Sequence, residues 1–214
     1  NAKAYGRPAS RGTGPAFPQV LLITLTAVLT RCVRALVLVP CRTGERWPAL
    51  SLLEVLGHGD LLLLDCGFYA AWFLEELGRR GISYVIRLPA SVKNARRMAP
   101  NLPWFEIQTR YRPEGKRRRR HGRSRTLRIE GRIIGYRMGR EKVRLITHLR
   151  DVTAKEIVEV YHLRWEAELS NDEVKTHLAA PAKGTCPTLL RSKSPALVEQ
   201  EIYALFALYN LDYD

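Results

Sequence analysis

The hydrophobic positions fall into short apolar runs in the first part of the chain and into helical periodicities near its end. Gln19–Thr26 and Arg31–Val39 are β-rich runs separated by a short turn, which predicts a hairpin. Thr43–Leu56 reads as a helix with Leu50, Leu53 and Leu56 on one side. Gly57 to Asp60 reads as a turn, and Leu61–Leu64 as a continuous apolar strand ending at Asp65. Runs of that kind fit strands covered on both faces of an α/β sheet. Phe68–Arg80 is the next predicted helix, stopped by Gly81, and Tyr84–Leu88 the next buried strand. Strand, strand, helix, strand, helix, strand is an α/β order. Residues 1–18 are rich in Gly, Pro and Ala and lack periodicity, which predicts a loop or an approach to a strand.

From Ser91 to Arg144 the pattern changes. Residues 109–144 hold fifteen Lys or Arg against three Glu, most of the chain's net charge of +14. Thr126–Met138 alternates basic and apolar residues, which predicts short twisted strands with one basic face. Lys116–Arg120 has the character of a mobile hairpin tip, and clustering this dense favours phosphate contact through Arg117, Arg118, Arg119 and Arg120. Val143–Leu149 returns to a buried strand. Pro181–Thr188 is a predicted loop. Ser194-Pro195 then supplies an N-cap and a first-turn proline for a closing helix, with Val198, Ile202, Leu205 and Tyr209 as its core face.

Between these lies Tyr161–Lys175, a helical stretch without Gly or Pro, preceded by Thr153-x-x-Glu156 in the pattern of a capping box. At about 100° per residue, with Tyr161 at zero, Arg164, Glu168 and Lys175 fall at roughly 300°, 340° and 320°. They share a stripe roughly 60° wide. One carboxylate flanked by two cations and a phenol suits a phosphodiester held beside a hard cation. The same spacing also suits an exposed face with an Arg164–Glu168 ion pair. Asp65 has two readings as well: a ligand-binding carboxylate at the carboxyl end of a strand, or an acidic cap for the helix that follows. Trp165 reads as core.

Composition narrows the class. The 214 residues, 46% apolar and 26% charged, suit a globular protein whose positive charge seeks a polyanion. The four cysteines (Cys32, Cys41, Cys66 and Cys186) are scattered without metal-ligand spacing, which fits reduced thiols of a cytosolic protein. The apolar run Val20–Leu29 is too short to span a membrane. The five histidines form neither an H-E-x-x-H motif nor a triad spacing.

Tyr161-x2-Arg164-x3-Glu168-x6-Lys175 matches the Y-(2)-R-(3)-E-(6)-K signature of DDE transposases of the bacterial insertion-sequence 4 family. Gly59–Phe68 resembles that family's second-aspartate motif, and Leu190–Pro195 with Gln200-Glu201 is similar to its downstream sequence. The resemblance covers nearly the whole chain. It implies an α/β, RNase H-like core, a mixed sheet flanked by helices, with a β-rich basic insertion. The expected boundaries are 1–90 and 145–214 for the two parts of the core and 91–144 for the insertion. Asp65 and Glu168 would be the catalytic carboxylates and would hold two Mg²⁺ (or Mn²⁺) ions. Tyr161, Arg164 and Lys175 would contact transposon-end phosphates. The implied partners are transposon-end and target DNA and a second copy on paired ends, in the bacterial cytoplasm at the nucleoid, with no membrane.

Two departures qualify this. Cys66 stands where the family often has a basic residue. No first aspartate can be assigned, so the chain is expected to be an N-terminally truncated fragment that lacks the first core strand and is inactive by itself. Two other readings compete: a catalytically inactive DNA-binding remnant of a transposase, and an unrelated basic RNA-binding protein. An Asp on a strand encoded just upstream of Asn1 would favour the enzyme.

Overall fold

The computed structural model describes residues 1–7, 18–90, 92, 104–111, 129–174 and 190–213. They form two compact units, Asn1–Val55 with Leu163–Asp214, and Leu56–His162. The whole is mixed α/β.

The first unit opens with a short helix, α1 (Ala2–Tyr5), and the expected hairpin, β1 (Val20–Thr26) and β2 (Val33–Pro40). The strands pair antiparallel, Leu22 opposite Leu38 and Ile23 opposite Val37. The helix expected over 43–56 shrinks to α2 (Ala49–Leu52) and one 3₁₀ turn, Leu53–Val55. Pro48 is the reason: it has no N–H to donate, so it can begin a helix but not continue one.

Two further helices complete this unit, α5 (Arg164–Glu173) and α6 (Pro195–Leu211), numbered after the helices of the second unit. Ser194 caps α6 by accepting the Leu197 N–H at 3.3 Å. Its buried residues are Val198, Ile202, Phe206 and Tyr209, which pack with Val33 and Val174. Phe206 takes the place expected for Leu205, which is only half-buried, because spacings of four, four and three residues follow the inner face of a helix. Asn210 fastens α6 to the hairpin, accepting from the Val33 N–H at 2.8 Å and donating to its carbonyl at 2.9 Å.

The second unit is a five-stranded mixed sheet in the order β3-β4-β7-β6-β5. Its strands are β3 (Leu61–Leu64), β4 (Ser83–Arg87), β5 (Trp104–Tyr111), β6 (Ile129–Met138) and β7 (Glu141–Thr147). β3 and β4 run parallel, and the other pairs are antiparallel. The helices are α3 (Ala71–Arg79) and α4 (Ala154–His162). Val85, Ile134 and Leu145 share one buried cluster with Ile157, Val158 and Tyr161 of α4. The alternate residues Ile86, Ile133 and Ile146 are equally buried, and α3 lies against β4 and β6. Gly131 lets β6 approach β7 closely, since a Cβ there would sit 2.6 Å from the Thr147 carbonyl oxygen. Gly81 ends α3 at φ +68°, where a Cβ would also strike His58 at 2.7 Å.

Three expectations change. β3 stands at the end of the strand order with Leu61 exposed, so it is not covered along its whole length. The helix expected from Phe68 starts later, after a 3₁₀ turn at Cys66–Phe68. β6 does not present a basic face: residues 131–136 are all buried, because the strand lies inside the sheet. Arg132, 4% exposed, pairs with Glu106 at 2.7 Å and donates to the carbonyls of Leu149 at 3.1 Å and Val152. A buried guanidinium is tolerable when its donors are filled in this way.

Candidate active site

Asp65 follows the last residue of β3, and its carbonyl accepts the Phe68 N–H at 3.1 Å to start the 3₁₀ turn. Its side chain is exposed and makes no capping hydrogen bond, so the capping role does not apply. The Cys66 thiol is beside it, and its pKa is raised by burial first and then by the Asp65 carboxylate.

On its other side the backbone is tied down as well. The Tyr161 hydroxyl donates to the Leu64 carbonyl at 3.2 Å, and the Tyr161 ring is buried in the cluster under the sheet. The capping box that starts α4 is present. Thr153 donates its N–H (2.8 Å) and hydroxyl (2.6 Å) to Glu156, and the Glu156 N–H bonds to the Thr153 hydroxyl at 3.2 Å. These bonds lower the Glu156 pKa.

The single helix expected over 161–175 is interrupted. α4 ends at His162 and α5 begins at Arg164, with Leu163 between them at φ −61°, ψ −16°. Glu166 donates its N–H to the Leu163 carbonyl at 3.0 Å, an i to i−3 bond that tightens the turn. On α5 the Arg164 guanidinium meets Glu168 at 2.7 Å, with the Glu168 side chain 53% exposed and that of Arg164 16%. Trp165, expected in the core, is 55% exposed.

Lys175, Arg117, Arg118, Arg119 and Arg120 lie outside the described residues, as does the expected loop 181–188. The downstream motif has a structural role. Glu201 accepts the N–H groups of Arg191 at 3.0 Å and Ser192 at 2.9 Å, which fixes the chain's entry into α6. Burial opposes ionisation of Glu201, yet these bonds and the Arg191 charge leave its pKa lowered.

The helical wheel gave no sign of the Tyr161 bond to Leu64, since the residues stand 97 positions apart. It also missed Arg31, at φ 60° in the hairpin turn, which reaches Glu166 at 2.7 Å and Glu173 at 3.6 Å on α5. Among the described residues no three His, Cys, Asp or Glu side chains converge as metal ligands. No helix among them is long and apolar enough to cross a membrane.

The sequence model of the transposase DDE domain family matches residues 2–211. The transposase InsG for insertion sequence element IS4 of Escherichia coli (strain K12) is 25% identical over 219 residues, covering 99% of this chain and 47% of that protein. The chain therefore spans about half the length of the curated relative it matches.

Proposed function

The chain belongs to the transposase DDE domain family, and on that premise we propose that it is the catalytic domain of an enzyme that cleaves and joins DNA at transposon ends. The observation that carries this reading is Asp65: an exposed carboxylate at the carboxyl end of a strand, free of capping duty and with tethered backbone on both sides. Open α/β sheets bind their ligands at strand ends of this kind. In this reading the mixed sheet and the β1–β2 hairpin belong to an RNase H-like core. Residues 1–90 and 145–214 supply the core and residues 91–144 the basic β-rich insertion.

The donor chemistry fits a hard divalent cation. Asp65 and Glu168 are both carboxylates on exposed side chains, and oxygen donors are what Mg²⁺ prefers. Such ions, held by Asp65 and Glu168, would neutralise phosphoryl oxygens and favour ionisation of an attacking water or 3′ hydroxyl. The protein's own contribution is positioning. Arg164 holds the Glu168 carboxylate in one orientation through the 2.7 Å pair, and the 3₁₀ turn fixes the Asp65 backbone. Lys175 and Arg117–Arg120 would hold DNA phosphates by charge, and a second copy of the chain would hold the paired end.

The test uses Asp65→Asn and Glu168→Gln in the full protein carrying this chain, with a labelled transposon-end duplex and Mg²⁺. Each change should reduce strand cleavage by at least about 1,000-fold while end binding persists. An Asp65→Asn protein that cleaves normally would overturn the assignment.

A further inference from the structure

We propose that Tyr161 is a positioning residue for the Asp65 carboxylate, acting through the Leu64 carbonyl rather than by contact with DNA. The inference rests on Asp65 being catalytic, as argued above. Tyr161 is 5% exposed, and its ring packs in the same buried cluster as Val85, Leu145 and Ile157. Its hydroxyl donates to the Leu64 carbonyl at 3.2 Å in buried surroundings. A phenol has one proton to donate, and a hydroxyl that gives it to a buried carbonyl has none left for a phosphate oxygen.

The recipient matters. Leu64 is the last residue of β3, which stands at the end of the strand order and pairs with β4. Beyond Leu64 the strand ladder no longer fixes the chain. The Tyr161 hydroxyl holds the peptide immediately before Asp65, and the Phe68 N–H holds the carbonyl of Asp65 itself. Leu63 packs against the cluster that contains the Tyr161 ring. A carboxylate launched from a backbone held at both flanking peptides has few orientations. Metal affinity and cleavage are sensitive to such orientation, and losing an outer support commonly costs about 10–100-fold in either.

Tyr161→Phe removes the oxygen and keeps the ring. The experiment uses the full protein carrying this chain and compares it with Asp65→Asn. Mn²⁺ binding is measured by calorimetry, cleavage as a function of Mg²⁺, and transposon-end affinity as a function of salt. Tyr161→Phe should weaken Mn²⁺ binding and raise the half-saturating Mg²⁺ about 10-fold. Excess Mg²⁺ should partly restore cleavage, and DNA affinity and its salt slope should stay unchanged.

A salt slope shallower by about one, with wild-type Mg²⁺ dependence, would make Tyr161 a phosphate contact and overturn the proposal. Wild-type behaviour in all three measurements would make it core alone and overturn it too. If Asp65→Asn cleaves normally, the reading of Asp65 fails, and the positioning role falls with it. If Asp65→Asn is inactive and Tyr161→Phe behaves as wild type, the positioning role alone fails. Should Tyr161→Phe melt below the assay temperature, 3-fluorotyrosine in place of Tyr161 keeps the ring and makes the hydroxyl a stronger donor. It should leave the Mg²⁺ requirement at or below the wild-type value, and a higher requirement would overturn the proposal.

Discussion

The Arg31 guanidinium lies 2.7 Å from the Glu166 carboxylate, joining the β1–β2 turn to α5. Glu173 is 3.6 Å from the same guanidinium, and Tyr213, whose ring lies 5.9 Å from it, donates its hydroxyl to Glu173 at 2.6 Å. The turn and two helices thus meet at one arginine in the left-handed region of backbone space. α5 carries Arg164 and Glu168, so this cluster sets where that pair stands within its unit.

Substitution at Arg31 separates the backbone from the side chain. Arg31→Gly loses the ion pairs but relaxes φ 60°, whereas Arg31→Ala loses the pairs and keeps the strain. Both should melt below wild type, and the alanine variant below the glycine variant. The opposite order in thermal melts would show that the turn changes conformation when the guanidinium is gone.

Glu76 makes an acid-sensitive link in α3. Hydrogen bonds from Arg79 and Arg80 hold its pKa at about 2 against an ordinary 4.5. A carboxylate pKa depressed by folding contributes stability that is whole above about 4.5 and is lost as pH falls toward about 2. Glu76→Gln should cost about 1–2 kcal/mol near neutrality, a value kept low because Arg79 is largely exposed. Melting temperatures followed from pH 6 down to pH 2 should converge for the two proteins. Parallel curves would remove Glu76 from the acid response.

The basic residues divide into two kinds. Replacing Arg117–Arg120 with alanine should make the salt dependence of DNA binding shallower by about three to four and leave the melt unchanged. Arg132→Ala should instead unfold Leu56–His162, because it leaves Glu106 and the carbonyls of Leu149 and Val152 without their donor. A well-folded Arg132→Ala protein with a shallower salt slope would return Arg132 to the DNA-binding set.

The capping box should account for about 1 kcal/mol of the stability of Leu56–His162 through Thr153→Ala. Chemical denaturation measures it. A loss below a few tenths would mean that packing of Ile157 and Val158 alone fixes where α4 starts.

Local rules made several elements legible in the sequence. Two β-rich runs around a short turn gave the hairpin, because side-chain alternation and turn chemistry act over a few residues. Thr153-x-x-Glu156 gave the start of α4, and Ser194-Pro195 the start of α6, because caps need only neighbours within one turn. The Y-(2)-R-(3)-E-(6)-K spacing and the strand ending at Asp65 pointed to the family, which the match over residues 2–211 bears out.

Contacts between residues distant in sequence could be decided only by the tertiary structure. Strand order placed β6 in the interior of the sheet, and that turned Arg132 from an apparent basic surface into a buried clamp on the approach to α4. The turn at Leu163 divided a stretch whose composition reads as one helix, since a single i to i−3 bond leaves no mark in propensity. Tyr161 and Leu64, and likewise Arg31 and Glu166, meet because separate elements pack together. Packing is fixed by the whole set of buried surfaces, which no short window of sequence contains.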